Sequence, residues 1–184
     1  KIEENKKSLF SLLNKVIHIN NLEFGIIRLM VTRGDTNKNS SHYNIPCIYI
    51  SIKPFYSIPD RPVKVVYLDE TNYPIIRFTP AIKSMNYIGN LLSKRDCEKQ
   101  GGFEPVFYNK DRIITECAIR NIFYIKEKIL YTPTLDLGIL SGIMRETVLN
   151  IAKSLQLIVK ETYIDYDEID SMDESFISST GIGL

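Results

Sequence analysis

Four short runs crowded into residues 104–133 set the first limit on what this chain can fold into. "EPVFYN" (104–109), "RIITE" (112–116), "NIFYIK" (121–126) and "KILYTP" (128–133) are rich in β-branched and aromatic residues, as strands are. The gaps between them are too short for the helical crossovers of a doubly wound sheet. Further strands are expected at 24–34, 46–55, 63–69 and 158–164, and "SFISST" (175–180) closes the chain after a short acidic turn or helix (165–173). Helical spacing is confined to three places. Leu9, Leu12, Leu13, Val16 and Ile17 mark the first helix. The second begins near Tyr87, buries Ile88, Leu91 and Leu92, and ends before Gly101-Gly102. The third carries Val148, Leu149, Ala152 and Leu155 on one face. The fold class is therefore α/β or α+β with a β-dominated second half. "YSIPDRP" (56–62) has two prolines and little apolar content, the composition of an interdomain linker.

Bulk composition removes several classes of function. With 23 basic and 22 acidic side chains, the net charge of +1 gives no electrostatic case for binding nucleic acid or a membrane surface. No apolar run is long enough to span a bilayer. Three scattered cysteines (Cys47, Cys97, Cys117) fit reduced thiols in a cytoplasmic protein better than a disulfide framework. His18 and His42 lack metal-ligand spacing with them, so no metal site is expected.

Four stretches carry chemistry. "IKSMNYIGN" (82–90) places Lys83 after an apolar stretch that reads as a strand and just ahead of a helix, where its charge opposes the helix dipole. It is either a solvated lysine or an amine held to form a Schiff base with a carbonyl cofactor. "GIMRETVLNIAK" (142–153) opens a helix with glycine, so the N–H groups of Ile143 and Met144 are free to cradle a phosphate, though most such helix starts bind nothing. "ISSTGIGL" (177–184) offers Thr180 and nearby N–H groups as a second clamp, or is a polar loop. "RIITECAIRNIF" (112–123) ends a strand in Glu116. Burying that acid unpaired would be costly, so it is either a rim salt bridge or faces a fixed partner such as a protonated pyridine nitrogen. Asn86 and Tyr87, close to Lys83, can hydrogen-bond a ring bearing a phenolate.

"IKSMNYIGNLLSKR", "ITECAIRNIFYIK", "LYTPTLDLGILSGIMR" and "FISSTG" occur in an order and spacing that resemble the class IV pyridoxal-phosphate-dependent aminotransferases. That family includes branched-chain and D-amino-acid transaminases and 4-amino-4-deoxychorismate lyase. The resemblance implies fold type IV, with the C-terminal part of a small α/β domain (1–57), a linker (58–62) and a larger pseudo-barrel domain (63–184) that binds pyridoxal 5'-phosphate. By the same resemblance Lys83 is the Schiff-base lysine, Glu116 the partner of the pyridine nitrogen and Tyr87 a donor to the ring's phenolic oxygen. Ile143 and Met144 supply the phosphate-binding N–H groups, and Thr180 supplies the second clamp. A homodimer with its active site near the interface is implied as well. Met144 departs from the family, which usually has a hydroxyl residue there. The family's upstream phosphate-binding arginine is missing, and so is the strand it usually has after this point. A chain truncated at both ends is therefore expected.

Branched-chain amino acid transfer is the expected reaction, because Tyr87 fits that type. The D-specific type traps the substrate carboxylate with an arginine and a histidine in the loop after "TRG" (32–34). Here Lys38 and Ser40 stand in those places, which leaves Lys38 as the substrate contact. The lyase, releasing 4-aminobenzoate and pyruvate, is the alternative, favoured by "TEC" and "GIMR". A non-catalytic, cofactor-binding relic is the third reading.

Overall fold

The computed structural model describes residues 6–41, 43–55 and 59–181 of a chain that divides into two compact units, Lys1–Ile58 and Pro59–Leu184. Residues 56–58, at the start of the expected linker, and the tail of "ISSTGIGL" from Ile182 lie outside the described residues.

In the first unit, α1 (Lys6–Asn20) packs on a two-stranded antiparallel sheet of β1 (Gly25–Val31) and β2 (Ile48–Pro54). Leu9, Leu13, Val16 and Ile17 form the half-buried face of α1, while Leu12 is exposed. The polar loop between the strands is built from Asx turns. Asp35 Oδ1 accepts from the Asn37 N–H at 2.9 Å, and Asn37 Oδ1 accepts from the Asn39 N–H at 3.0 Å. Lys38 sits exposed within them.

The second unit holds two sheets. β3 (Val65–Asp69), β4 (Glu104–Tyr108) and β5 (Ile114–Cys117) form one, in that order. β8 (Ile158–Thr162), β7 (Ile129–Pro133), β6 (Asn121–Lys126) and β9 (Glu174–Ser178) form the other, in that order. Each sheet has one parallel pair, β3 with β4 and β7 with β8. A parallel pair needs a long connection, and the two remaining helices supply it: α2 (Ile88–Lys99) and α3 (Ile143–Ser154). Alternation along β6 then sorts the core. Ile122 and Tyr124 join Val106, Ile114, Cys117, Ile164 and Ile177 in a cluster drawn from both sheets. Phe123 points the other way, stacking on Phe176 at 4.8 Å and packing with Leu130 against Val148, Leu149 and Ala152 of α3. Burial of each such large side chain contributes roughly 1.5–3 kcal/mol.

Three expectations need correction. α2 does not bury Ile88, Leu91 and Leu92, which are 52%, 59% and 39% exposed. Its buried face is Gly89, Ser93 and Cys97, at i, i+4 and i+8. Small side chains let the helix approach closely, and a Cβ added at Gly89 would lie 2.8 Å from the Pro74 carbonyl. Leu155, assigned to the buried face of α3, follows its last turn and is exposed. The apolar stretch ahead of Lys83 also forms no strand and runs irregularly from Pro74 to Tyr87. Among the described residues, no helix is long and apolar enough to cross a membrane.

Candidate active site

A cleft of about 430 Å³ opens in the second unit, within the roughly 300–1,000 Å³ usual for small-molecule sites. Lys83, Tyr87, Glu116, Ile143, Met144 and Thr180 all line it. They arrive from four places in the chain: the approach to α2, the end of β5, the start of α3 and the turn after β9. Lys38 belongs to the other compact unit.

The turn that carries the chain from β5 to β6, from one sheet into the other, is the fixed point of the site. Ala118, Ile119 and Arg120 make the turn, closed by the Cys117 N–H donating to the Arg120 carbonyl at 3.0 Å. Beneath it lies Glu104, fully buried, in an ion pair with the buried Arg120 and accepting from the Ile119 N–H at 2.8 Å. Lys94 of α2 stands 3.7 Å from the same carboxylate. Above the turn, the Ala118 carbonyl accepts from Tyr87 Oη at 3.0 Å and from Asn90 Nδ2 at 2.7 Å. The β5–β6 turn and the start of α2 are thereby locked together, which places the loop carrying Lys83. Lys83 itself is exposed, and no acid among the described residues pairs with it. Tyr87 spends its proton on a main-chain carbonyl, so donation to a ring oxygen requires the hydroxyl to swing away from Ala118.

Glu116 has a fixed partner that the sequence did not point to. Its Oε1 pairs with Arg77, and its Oε2 accepts from the Leu140 N–H at 3.3 Å. Arg77 also binds Glu70 at 2.7 Å and Thr115 Oγ at 3.0 Å. Burial pushes the Glu116 carboxyl above the usual carboxylate range, while Arg77 and the Leu140 N–H pull it back. Burial also works against the Arg77 charge, but Glu116 and Glu70 outweigh it and raise the guanidinium's pKa. The available signal was an arginine inside the apolar run "IIRFTP" (75–80), since a charge among apolar residues calls for a partner.

Gly142 caps α3 at a positive φ of 60°, with no side chain bonded to the helix start. A Cβ there would fall 2.0 Å from Asn121 Oδ1, so only glycine fits the turn. The first N–H groups of the helix, at Ile143 and Met144, lack a side-chain cap at the positive end of the dipole, and both residues line the cleft. Asn121 was not singled out from the sequence. Its Nδ2 donates to the Leu140 carbonyl at 3.0 Å. Leu140 thus links both parts of the site, with its N–H on Glu116 and its carbonyl on Asn121. An amine, a half-buried acid, an uncapped helix start and a strand-end hydroxyl together suit a phosphorylated pyridine aldehyde such as pyridoxal 5'-phosphate.

A family model described as Amino-transferase class IV matches residues 1–184. The chain is 31% identical to a D-alanine aminotransferase of Listeria monocytogenes serotype 4b, over all of this chain and 64% of the relative. It is 28% identical to an aminodeoxychorismate lyase of Bacillus subtilis, over 95% of this chain and 61% of the relative. The branched-chain amino acid aminotransferase structure from Escherichia coli superposes with a TM-score of 0.80 at 22% identity, over 99% of this chain and 62% of that one, and it shares the fold. The chain spans less than two thirds of the length of these relatives.

Proposed function

The chain belongs to the amino-transferase class IV family, and from that premise we propose that it transfers amino groups with pyridoxal 5'-phosphate held in the cleft of its second unit. The observation that carries this reading is the convergence of Lys83, Glu116, the start of α3 and Thr180 on one cleft. When bound, the cofactor supplies the electron sink that lets an amino group be taken from one substrate and given to another. Lys83 Nζ would hold the cofactor at its carbonyl group and would accept and return the substrate's α-proton. Glu116 keeps a proton on the ring nitrogen. The N–H groups of Ile143 and Met144 and the hydroxyl of Thr180 hold the phosphate.

Branched-chain amino acids are the proposed substrates. Tyr87 supports this, as does the lack of an arginine–histidine pair at Lys38 and Ser40. D-alanine is a second reading, favoured by the 31% identity to a D-alanine aminotransferase. With L-leucine alone, the spectrum of the cofactor-loaded protein should shift once and stop, and a 2-oxo acid should restore it. The same one-step shift with D-alanine and none with L-leucine selects the second reading. A spectrum unchanged by both, with steady pyruvate release from aminodeoxychorismate, overturns amino transfer in favour of the lyase.

A homodimer is part of the same reading, supported by the exposed apolar face of α2. Leu91→Glu, a charge placed at the centre of that face, should convert a sedimenting dimer to a monomer. Unchanged sedimentation would place the interface elsewhere.

A further inference from the structure

Ser178 is fully buried, and among the described residues its Oγ has no hydrogen-bond partner. Leaving a buried hydroxyl unpaired is costly, and native proteins do so rarely. The residue is the last of β9 and lines the cleft.

Strand geometry fixes the direction of the side chain. Ile177 points into the core shared by the two sheets, so Ser178 points to the opposite face, with Phe176. That is the face covered by α3. Across the ladder Ser178 lies opposite Asn121, whose Oδ1 sits where a Cβ of Gly142 would be. The unpaired hydroxyl is thus on the sheet floor beside the turn that opens α3, in the same cleft as the uncapped N–H groups of Ile143 and Met144. Two independent features, a helix start without a cap and a buried hydroxyl without a partner, meet at one end of one cleft.

We infer that Ser178 is an additional phosphate contact: its hydroxyl donates to a phosphomonoester oxygen seated at the start of α3. This rests on the proposed reading of the cleft as a cofactor site, and adds to it a residue buried beneath the helix start. A dianion there accepts from both the helix N–H groups and the Ser178 hydroxyl, which gives that hydroxyl a partner. Ser178 is a binding residue and takes no part in proton transfer.

The test separates phosphate recognition from folding and from the rest of the cofactor. Wild type and Ser178→Ala are titrated with pyridoxal 5'-phosphate and with pyridoxal, which lacks the phosphate, following absorbance. The melting temperature of each is measured without ligand. Ser178→Ala should bind pyridoxal 5'-phosphate about tenfold more weakly, bind pyridoxal as wild type does, and melt no lower than wild type, because it removes an unpaired polar group. Equal affinity of the two proteins for pyridoxal 5'-phosphate overturns the inference alone, since the hydroxyl then serves a bound water. Equal weakening for both compounds also overturns it, as the effect is then not on phosphate. A wild type that binds neither compound overturns both this inference and the cofactor reading.

Discussion

Lys83→Ala ends covalent capture of the cofactor. Wild type mixed with one equivalent of pyridoxal 5'-phosphate and reduced with borohydride should carry the added mass on the peptide containing Lys83, and the variant should carry none. Exposed lysines react with aldehydes too, and the chain has 23 lysines and arginines. What distinguishes Lys83 is the anchoring of the phosphate in the same cleft, which raises the local concentration of the aldehyde at this one amine. Labelling at one equivalent is therefore selective, whereas labelling at large excess is not. Turnover should fall by at least the roughly 10²–10⁴-fold ascribed to a positioned acid–base group. Phosphate affinity should persist, because the start of α3 and Thr180 are untouched. A label that stays at full strength on another lysine in the variant moves the amine elsewhere and overturns the assignment.

The residues of the cleft were legible where chemistry coincides with a local boundary. Lys83 precedes a helix, Glu116 lies at the end of a strand, Gly142 opens a helix, and Thr180 follows a strand, so motif and element end mark the same position. What was not legible depends on contacts distant in sequence. Arg77 and Glu116 are 39 residues apart, and Glu104 and Arg120 are 16 apart, with nothing in the local pattern to pair them. Glu104 begins a strand of otherwise apolar and aromatic residues, where an acid looks like a rim residue, yet it is fully buried. The misreading of α2 has a different cause. Periodicity weighs the size of apolar residues, so Ile88, Leu91 and Leu92 looked like the inner face. The helix instead meets the Pro74 carbonyl at Gly89, a distance that no larger residue allows. Close approach is invisible to a hydrophobicity pattern.

Glu104→Leu should be the most destabilising single change in the site. It leaves Arg120, 7% exposed, without its counter-charge, and breaking one side of a buried ion pair costs about 3–5 kcal/mol. The loss is checked by denaturant unfolding. Glu104→Leu with Arg120→Met should recover most of that stability, since a packed apolar pair replaces the ion pair without a stranded charge. If the double variant is no more stable than the single one, the cost lies in packing and the charge argument fails. Burial pushes the Glu104 carboxyl above its ordinary 4.5, against the pull of Arg120 and the Ile119 N–H. A carboxyl whose pKa is higher folded than unfolded holds its proton more tightly in the folded chain. Its contribution to stability is therefore full in acid and declines as pH rises from 4.5 through the raised folded value. The advantage of wild type over the double variant should shrink across that window, and an advantage that grows with pH would reverse the sign. Cofactor binding should part company with stability. Without Glu104 the Ile119 N–H loses its acceptor, and the neighbouring Ala118 carbonyl that orients Tyr87 and Asn90 is no longer held. The double variant should fold nearly as well as wild type and still bind pyridoxal 5'-phosphate weakly, because the ion pair's specific work is to hold the β5–β6 turn against the start of α2.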